Sequence, residues 1–207
     1  MLTSSIPRRA HLVLAAILFG ACASEPPDPN TDAAPDNQTS VTDSAVDVDV
    51  VLPTRNGQRR QTTGGVPHMQ LDAEPVPEVD AELRRRIFQL PGVENRPSDR
   101  SLPGARGIAL SNDLDLARPD VIAGSSEFAH IHPDGSLHVW LPVNRAVEVD
   151  EKKWGELHPW VDRDNFWDGV VMVFTPETSD ELDIAIQILV DAYNFVTGSG
   201  VTPADIP

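Results

Sequence analysis

The sequence predicts an α+β domain: a small antiparallel sheet that includes a His-rich β-hairpin, flanked by helices, with a long C-terminal amphipathic helix. Three observations lead to this fold class. Residues 127–141, EFAHIHPDGSLHVWL, contain two alternating stretches around the turn formers Pro133-Asp134-Gly135. Residues 170–174, VVMVF, form a continuous apolar run typical of a central strand. Apolar residues recur at helical spacing over residues 182–196.

The elements before the hairpin show weaker patterns. A helix is expected over residues 80–90, with Asp80 as its cap and Pro91-Gly92 as its end. Its apolar stripe consists of Leu83, Ile87 and Leu90. A strand is expected over residues 106–110, RGIAL, which follow a Pro-Gly turn.

Two helices are expected after the hairpin. The first covers residues 144–154, is ended by Gly155, and carries Glu148, Asp150 and Glu151 on a solvent-exposed face. The second is the long C-terminal helix, for which Thr178 and Glu181 match a capping box. Gly198 follows its last apolar residue, where a left-handed conformation ends a helix.

The first 21 residues have the pattern of a secretory signal peptide. Arg8 and Arg9 precede an apolar run that is shorter than the ~20 residues needed to span a bilayer. Small residues then lead to Cys22, the single cysteine, so this segment resembles the lipobox of bacterial lipoproteins. The resemblance implies lipidation of Cys22 and attachment to a membrane of the bacterial cell envelope, at the outer membrane or the periplasmic face. The alternative is cleavage near Ala21 or Ala23 with a free thiol left.

Composition divides the remainder into a tether and a domain. Residues 22–65 are acidic and proline-rich at their start, and we expect a disordered tether there, with the basic residues of 55–60 as a solvated patch. The folded domain is placed at residues 66–207. The formal net charge of −16 would repel phosphate backbones, so no nucleic-acid partner is expected.

The turn chemistry of the hairpin fixes its expected register. Pro133-Asp134-Gly135 fits a three-residue loop with glycine in the left-handed position. That loop places Ile131 opposite Leu137 and His130 opposite His138. One face then carries five aliphatic residues: Ala129, Ile131, Leu137, Val139 and Leu141. The other face carries Phe128, His130, His132, His138 and Trp140.

Three imidazoles on one face of a hairpin can chelate zinc or a similar divalent metal. His130, His132 and His138 are therefore the candidate ligands, and His158 is the candidate that completes the set. Glu127 is out of phase and joins them only if the strand bends at its start. Trp140, Trp154 and Phe128 are the candidates for lining a ligand pocket, because aromatic side chains provide apolar area for a ligand.

Four segments resemble the luciferase-domain family of bacteria and fungi: LPGVENRPSDRSLPGARGIAL, EFAHIHPDGSLHVWLP, WGELHPW and VVMVFTPETSDELDIAIQILVDAYNFVTG. The resemblance covers roughly residues 90–198. It implies neither light emission nor another defined activity, because the biochemical role of the bacterial members is undefined. Thr175-Pro176-Glu177 departs from the proline and arginine expected in the last segment.

Two classes of function remain open on the sequence. The domain binds a small ligand or metal at the histidine face, with or without hydrolytic or oxidative chemistry. Alternatively, it is a non-catalytic envelope module that recognises another protein or a cell-wall component, and its histidines are structural. A chaperone-like part of a secretion assembly is a third, weaker reading. The sequence has no nucleophile elbow, phosphate-binding glycine loop or His-Glu-x-x-His helix.

Overall fold

A computed structural model describes residues 50–71, 73–122 and 124–207. These residues form three α-helices, six strands and a short 3-10 helix. In chain order they are α1 (Pro77–Ile87), β1 (Val93–Pro97), β2 (Arg106–Leu110), β3 (Glu127–Ile131), β4 (Leu137–Trp140), α2 (Val143–Glu151), β5 (Gly155–Leu157), β6 (Val170–Val173), α3 (Ser179–Thr197) and the 3-10 turn Pro203–Asp205. The strands form one antiparallel sheet in the order β1-β2-β3-β4-β6-β5. The predicted α+β class is confirmed.

The hairpin β3–β4 has the predicted register. Ile131 pairs with Leu137, and His130 pairs with His138. The backbone N–H of His132 donates to the Ser136 carbonyl at 2.8 Å, and Gly135 has a φ of 81°. The left-handed glycine in the three-residue turn therefore fixes which side chains share a face.

The two faces of the sheet have different coverings. Helix α3 packs against β3 and β4 on the aliphatic face, which we call the helix face, and α1 packs against α3. The aliphatic residues of the hairpin are buried there with the apolar stripe of α3. The opposite face carries His130 and His138, and we call it the histidine face. Most of the core lies on the helix face, so the histidine face can carry polar groups next to a few core residues such as Trp140 and Val170.

The predicted bounds of α1 (residues 80–90) and α2 (residues 144–154) were wrong. Helix α1 begins at Pro77 with Val76 as its cap, and Asp80 instead accepts from Arg84 at 2.8 Å. Helix α2 ends at Glu151, because Lys153 takes a left-handed φ of 66° and the chain then turns. Gly155 therefore starts the edge strand β5 and does not end a helix. The other edge strand, β1, was also not predicted.

The C-terminal helix has the predicted N-cap and C-cap, but the Glu181 carboxylate accepts from the Glu177 N–H at 2.9 Å, so the reciprocal half of the predicted capping box does not form. The Thr178 hydroxyl accepts from the backbone N–H of Glu181 at 3.2 Å. Gly198 ends α3 in the left-handed region with a φ of 73°. In the part of the chain that the structure describes, no helix is long and apolar enough to cross a membrane.

Residues 50–63 pack on the domain, and we call them the strap. Leu52 is fully buried, and its N–H donates to Glu148 Oε1 at 2.8 Å. The indole N–H of Trp154 donates to the Pro53 carbonyl at 2.6 Å. The expectation that the tether extends to residue 65 was therefore wrong for the strap, and Glu148 is not on a free solvated face.

The basic residues of the strap form specific ion pairs. The Arg55 guanidinium donates to both carboxylate oxygens of Glu181 at 3.0 and 2.9 Å. Arg60 lies 2.6 Å from Glu177, and Arg59 lies 2.7 Å from Asp150. The expectation of a solvated basic patch was therefore wrong, because each guanidinium meets a carboxylate of the domain. The predicted signal peptide, Cys22 and residues 23–49 lie outside the described residues.

Candidate metal centre and pocket

Five histidines of the described residues meet on the histidine face. His130 and His138 are directly opposite each other on β3 and β4, and His132 follows β3 at the turn. His158 follows β5 at the far side of the sheet, and its ring centroid lies 5.3 Å from that of His138. His68, which sequence reasoning did not select, approaches from the loop after the strap, 5.2 Å from the His138 ring.

A bulge in β3 brings Glu127 to the histidine face. Ile108 pairs with Ala129, but Ala109 pairs with Glu127, so Phe128 is an extra residue in the ladder. Because of this extra residue, the side chains that precede it in β3 point to the opposite face from the one that strict alternation would give. The Glu127 carboxylate therefore lies 3.5 Å from His130 Nδ1. Phe128 instead lies on the helix face, with its ring 5.8 Å from that of Tyr193.

Three ring nitrogens of the hairpin face one another, and we call His130, His132 and His138 the hairpin triad. His130 Nε2 lies 3.1 Å from His138 Nδ1, and His132 Nε2 lies 3.3 Å from the same atom. A tetrahedral zinc with bonds of about 2.0–2.1 Å separates its nitrogens by about 3.3 Å. These two separations therefore fit the edges of a zinc coordination tetrahedron, and the third nitrogen pair, His130 and His132, lies within 4.8 Å.

The outer ring nitrogens of His130 and His132 meet acceptors. Glu127 accepts from Ser98 Oγ at 2.9 Å and from the Asp99 N–H at 2.6 Å, which fix its carboxylate beside His130 Nδ1. Ser136 Oγ donates to Asp134 at 2.8 Å and therefore accepts from His132 Nδ1 at 2.9 Å. The Ser136 contact thus places the His132 proton on Nδ1, and the nearby Glu127 carboxylate, 3.5 Å away, favours the same tautomer of His130. In this tautomer each ring directs the lone pair of Nε2 toward His138.

His138 completes this arrangement through His68. Glu156 Oε1 lies 3.2 Å from His68 Nε2, so the His68 proton is on that nitrogen. His68 Nδ1 then accepts from His138 Nε2 at 3.1 Å. The remaining His138 nitrogen, Nδ1, presents a lone pair to the lone pairs of the other two triad members. Three converging lone pairs repel one another unless a cation lies between them, so the donor set fits a metal ion.

His158 is oriented differently from the triad. The backbone N–H of Trp160 donates to His158 Nδ1 at 3.1 Å, so the proton of the neutral ring is on Nε2. His68, His138 and His158 also form a cluster whose nitrogens all lie within 4.8 Å of one another. In this cluster only His68 presents a lone pair to the centre, because the inward nitrogens of His138 and His158 carry protons. The hairpin triad is therefore the better metal site.

Burial favours the neutral form of four of these imidazoles, His68, His132, His138 and His158. Burial first, and then the neighbouring histidines, hold the pKa of His138 well below its usual value. Burial, and then His130, lowers the pKa of His132 to about 4. Burial likewise lowers the pKa of His158 to about 4, and that of His68 below its usual value. Neutral imidazole is the form that ligates metals, so these rings need not lose a charge at pH 7.

Glu127 has the opposite balance. Burial opposes ionisation of its carboxyl, but hydrogen bonds from His130, Asp99 and Ser98 outweigh burial and lower its pKa. The carboxylate is therefore negative at neutral pH beside the outer nitrogen of His130. A carboxylate behind a ligating histidine orients the ring and increases its basicity.

The cluster forms one wall of a pocket of about 500 Å³. The other walls are mostly apolar and consist of Val66, Pro67, Arg100, Ser101, Leu102, Trp140, Trp160, Phe166 and Val170. Trp140 lines the pocket, as the sequence predicted. The prediction was wrong for Phe128, which the bulge turns to the helix face, and for Trp154, which packs beneath the strap next to Arg55.

Several residues of the site gave little sequence signal. His68 is 70 positions from His138 in the chain and lies in a segment without periodicity. Glu156 belongs to the WGELHPW segment and lies two residues before His158. Strand alternation would therefore have placed both side chains on the same face. Trp160, Leu102 and Phe166 lie in loops, so no pattern indicated which side chains enter the pocket.

Comparison with known proteins gives a family match for the central part of the chain. Residues 125–192 match the family model described as Luciferase domain. The match extends from β3 into α3 and contains the hairpin triad and His158, whereas His68 and the strap precede it. These residues are therefore similar to the luciferase-domain family, and they include three histidines placed so that they could hold a metal ion. No curated protein matches the chain, and no solved structure matches it.

Proposed function

We propose that the domain holds a divalent metal such as zinc through the hairpin triad and binds a small apolar molecule in the adjoining pocket. The observation that carries the proposal is the convergence of three ring nitrogens, with His130 Nε2 and His132 Nε2 at 3.1 and 3.3 Å from His138 Nδ1. His132 and His138 also have hydrogen-bonded outer partners, Ser136 and His68, and the Glu127 carboxylate lies 3.5 Å from the outer nitrogen of His130. Structural histidines need only one satisfied hydrogen bond each and have no reason to converge in this way.

The donors favour a transition metal over calcium or magnesium. Three neutral imidazoles suit zinc, copper, iron or nickel, whereas calcium and magnesium prefer oxygen ligands. A bound zinc supplies Lewis acidity to an oxygen of a ligand or water. The chain itself supplies orientation: Glu127, the Ser136–Asp134 pair and the His68–Glu156 pair hold the three rings.

The pocket determines what kind of molecule reaches this wall. Its volume of about 500 Å³ lies in the range of small-ligand sites. Indole and phenyl rings of Trp140, Trp160 and Phe166 provide flat apolar surface, and the histidines provide the polar wall. We therefore infer a mostly apolar ligand with one polar group directed at the histidines.

Zinc titration of the purified full-length chain tests the metal centre. We expect one ion per chain for the wild type and loss of tight binding in His130→Ala and His138→Ala. His158→Gln is the matched control, because it removes a pocket histidine outside the triad and should keep the stoichiometry. If the wild type binds neither zinc nor another first-row metal, the proposed metal centre is wrong. The alternative function, a non-catalytic interaction module, is then favoured.

We also propose that the protein is anchored in the bacterial cell envelope by a lipid on Cys22, with the domain at the periplasmic face or the outer membrane. The support is the sequence alone: basic, apolar and small residues precede the single cysteine. Intact mass of the native protein is the test. We expect cleavage before Cys22 with an added diacylglyceryl mass, and a free thiol or an uncleaved leader rejects the anchor.

A further inference from the structure

We infer that Glu156 and His68 are positioning residues for the metal centre, and that the strap fixes them. The inference rests on the proposed metal site and adds Glu156, which lies inside the stretch that matches the luciferase-domain model, together with His68 and the strap, which precede that stretch. The chain of contacts is Thr62 to Glu156, Glu156 to His68, and His68 to His138. Its effect is to hold His138 with the Nε2 proton, so that Nδ1 faces the metal.

The Thr62 hydroxyl attaches the strap to Glu156. Thr62 Oγ1 donates to Glu156 Oε1 at 2.6 Å, and the same oxygen accepts from His68 Nε2 at 3.2 Å. Glu156 extends from β5 on the histidine face, because it pairs with Met172 and Met172 pairs with His138. The Glu156 carboxylate is thus attached to the sheet through β5, and it contacts Thr62 of the strap and His68 of the following loop.

The loop that carries His68 is fixed at both ends. Thr62 and Gln70 form an isolated antiparallel bridge, and the Leu71 N–H donates to the Gln61 carbonyl at 2.8 Å. The Gln70 amide pairs with Thr175, donating to its hydroxyl at 2.5 Å and accepting from its N–H at 3.1 Å. Gln70 and Thr175 are both buried. The His68 side chain is therefore held by the strap on one side and by the end of β6 on the other.

The tautomer of His138 depends on this chain of contacts. A neutral imidazole carries one proton, and without an acceptor at Nε2 that proton can move to Nδ1, where it occupies the site of the metal. The carboxylate of Glu156 keeps the His68 proton on Nε2 and leaves His68 Nδ1 as the acceptor for His138. Outer partners of this kind change metal affinity by about 10- to 100-fold.

Zinc affinity of full-length variants, measured by competition with a chromophoric chelator, tests the inference. We expect Glu156→Gln and His68→Gln each to weaken zinc binding by about 10- to 100-fold. The double variant should be no weaker than the worse single variant, because both act through one chain of contacts. Glu177→Gln is the control: it removes the Arg60 ion pair of the strap without touching Glu156, and the zinc affinity should stay within about twofold.

Absorption of the cobalt-loaded protein separates positioning from a purely structural role. We expect shifted d–d bands in Glu156→Gln at an unchanged thermal midpoint of the apo protein. Wild-type affinity and an unshifted spectrum in both single variants overturn the inference but leave the hairpin triad intact. Two zinc ions per wild-type chain, with one lost in His68→Gln, also overturn it, because His68 is then a ligand. A wild type without zinc overturns the metal centre as well.

Discussion

His138 illustrates at the scale of one residue why the site suits a metal. It faces ring nitrogens of His68, His130 and His132 at 3.1 to 3.3 Å, but it has only one proton to donate when neutral. Burial makes protonation costly, because a second proton would add a charge inside the protein. A cation bound by the lone pairs satisfies all three triad rings at once while His138 keeps its single proton on Nε2 for His68.

Gly107 is the residue that leaves room for Glu127. It pairs with His130 on the histidine face, and a Cβ at this position would lie 2.5 Å from Glu127 Oε1. We expect Gly107→Ala to displace the carboxylate from His130 and to weaken zinc binding by about tenfold, as loss of an outer partner does. Isothermal titration with zinc measures this change.

The control for that substitution is Gly200→Ala, where a new Cβ meets no atom within 4 Å. Zinc affinity of the control should equal that of the wild type. Glu127→Gln should weaken zinc binding to a similar degree, and the double variant should add little. If Gly107→Ala alone leaves the affinity unchanged, Glu127 does not support the metal centre.

Residue placement could be predicted where a short-range rule determined it. The turn Pro133-Asp134-Gly135 fixes the register of the hairpin, so the shared face of the triad followed from the sequence. Glu127 depended on a bulge opposite Ile108 and Ala109, and nothing in the sequence of β3 alone specifies that bulge. His68 depended on pairing with Glu156, a contact across 88 positions of the chain.

At the scale of elements, the strap is an integral part of the domain. It contributes the buried Leu52 and the fork of Arg55, and it holds Glu156 through Thr62. The sequence predicted a tether because the strap has little apolar content and no periodicity. Many of the stabilising contacts are instead ion pairs with carboxylates far along the chain. The sequence of the strap alone does not show which carboxylates these are.

The edge strands were missed for a related reason. Strand β1 reads VENRP, and β5 has three residues, GEL, so neither shows alternation of apolar and polar side chains. Edge strands bury little of their surface and carry a weak pattern. By contrast, α3 was predicted with both caps, because its apolar stripe and its Thr178 and Gly198 signals are local.

Arg55→Gln tests the docking of the strap and its pH dependence. The Arg55 fork stabilises by about 1–2 kcal/mol, as expected for a charge-assisted pair that is partly screened. Burial raises the pKa of Glu181, but the Arg55 hydrogen bond and neighbouring interactions outweigh burial and lower it overall. A lowered folded-state pKa gives stability that is present above the unfolded pKa of about 4.3 and is lost as pH falls through the folded value.

Urea unfolding at several pH values measures the effect. The difference in unfolding free energy between the wild type and Arg55→Gln should be constant from pH 7 to about 5 and shrink below about pH 4. Arg85→Gln, in an exposed pair with Glu82, is the control and should change the urea midpoint little. An Arg55→Gln protein as stable as the wild type at pH 7 would mean that the strap does not dock as described.

At the scale of the whole molecule, the placement of the helices on one face of the sheet and the acidic net charge both affect which ions reach the histidine face. The helices cover one face of the sheet, so the other face can carry the histidines and the pocket. The net charge of −16 raises the local concentration of cations of every kind. Selection among them then depends on the buried imidazoles, which prefer transition metals to the hard cations that carboxylates attract.

X-ray absorption at the zinc edge of the zinc-loaded full-length protein tests the central claim most directly. We expect three imidazole nitrogens at about 2.0 Å, with the multiple scattering typical of histidine rings. His138→Ala should reduce or abolish this signal at equal protein concentration, and His158→Gln should leave it unchanged. A spectrum dominated by oxygen ligands, or one unaffected by His138→Ala, would contradict a metal centre built on the hairpin triad.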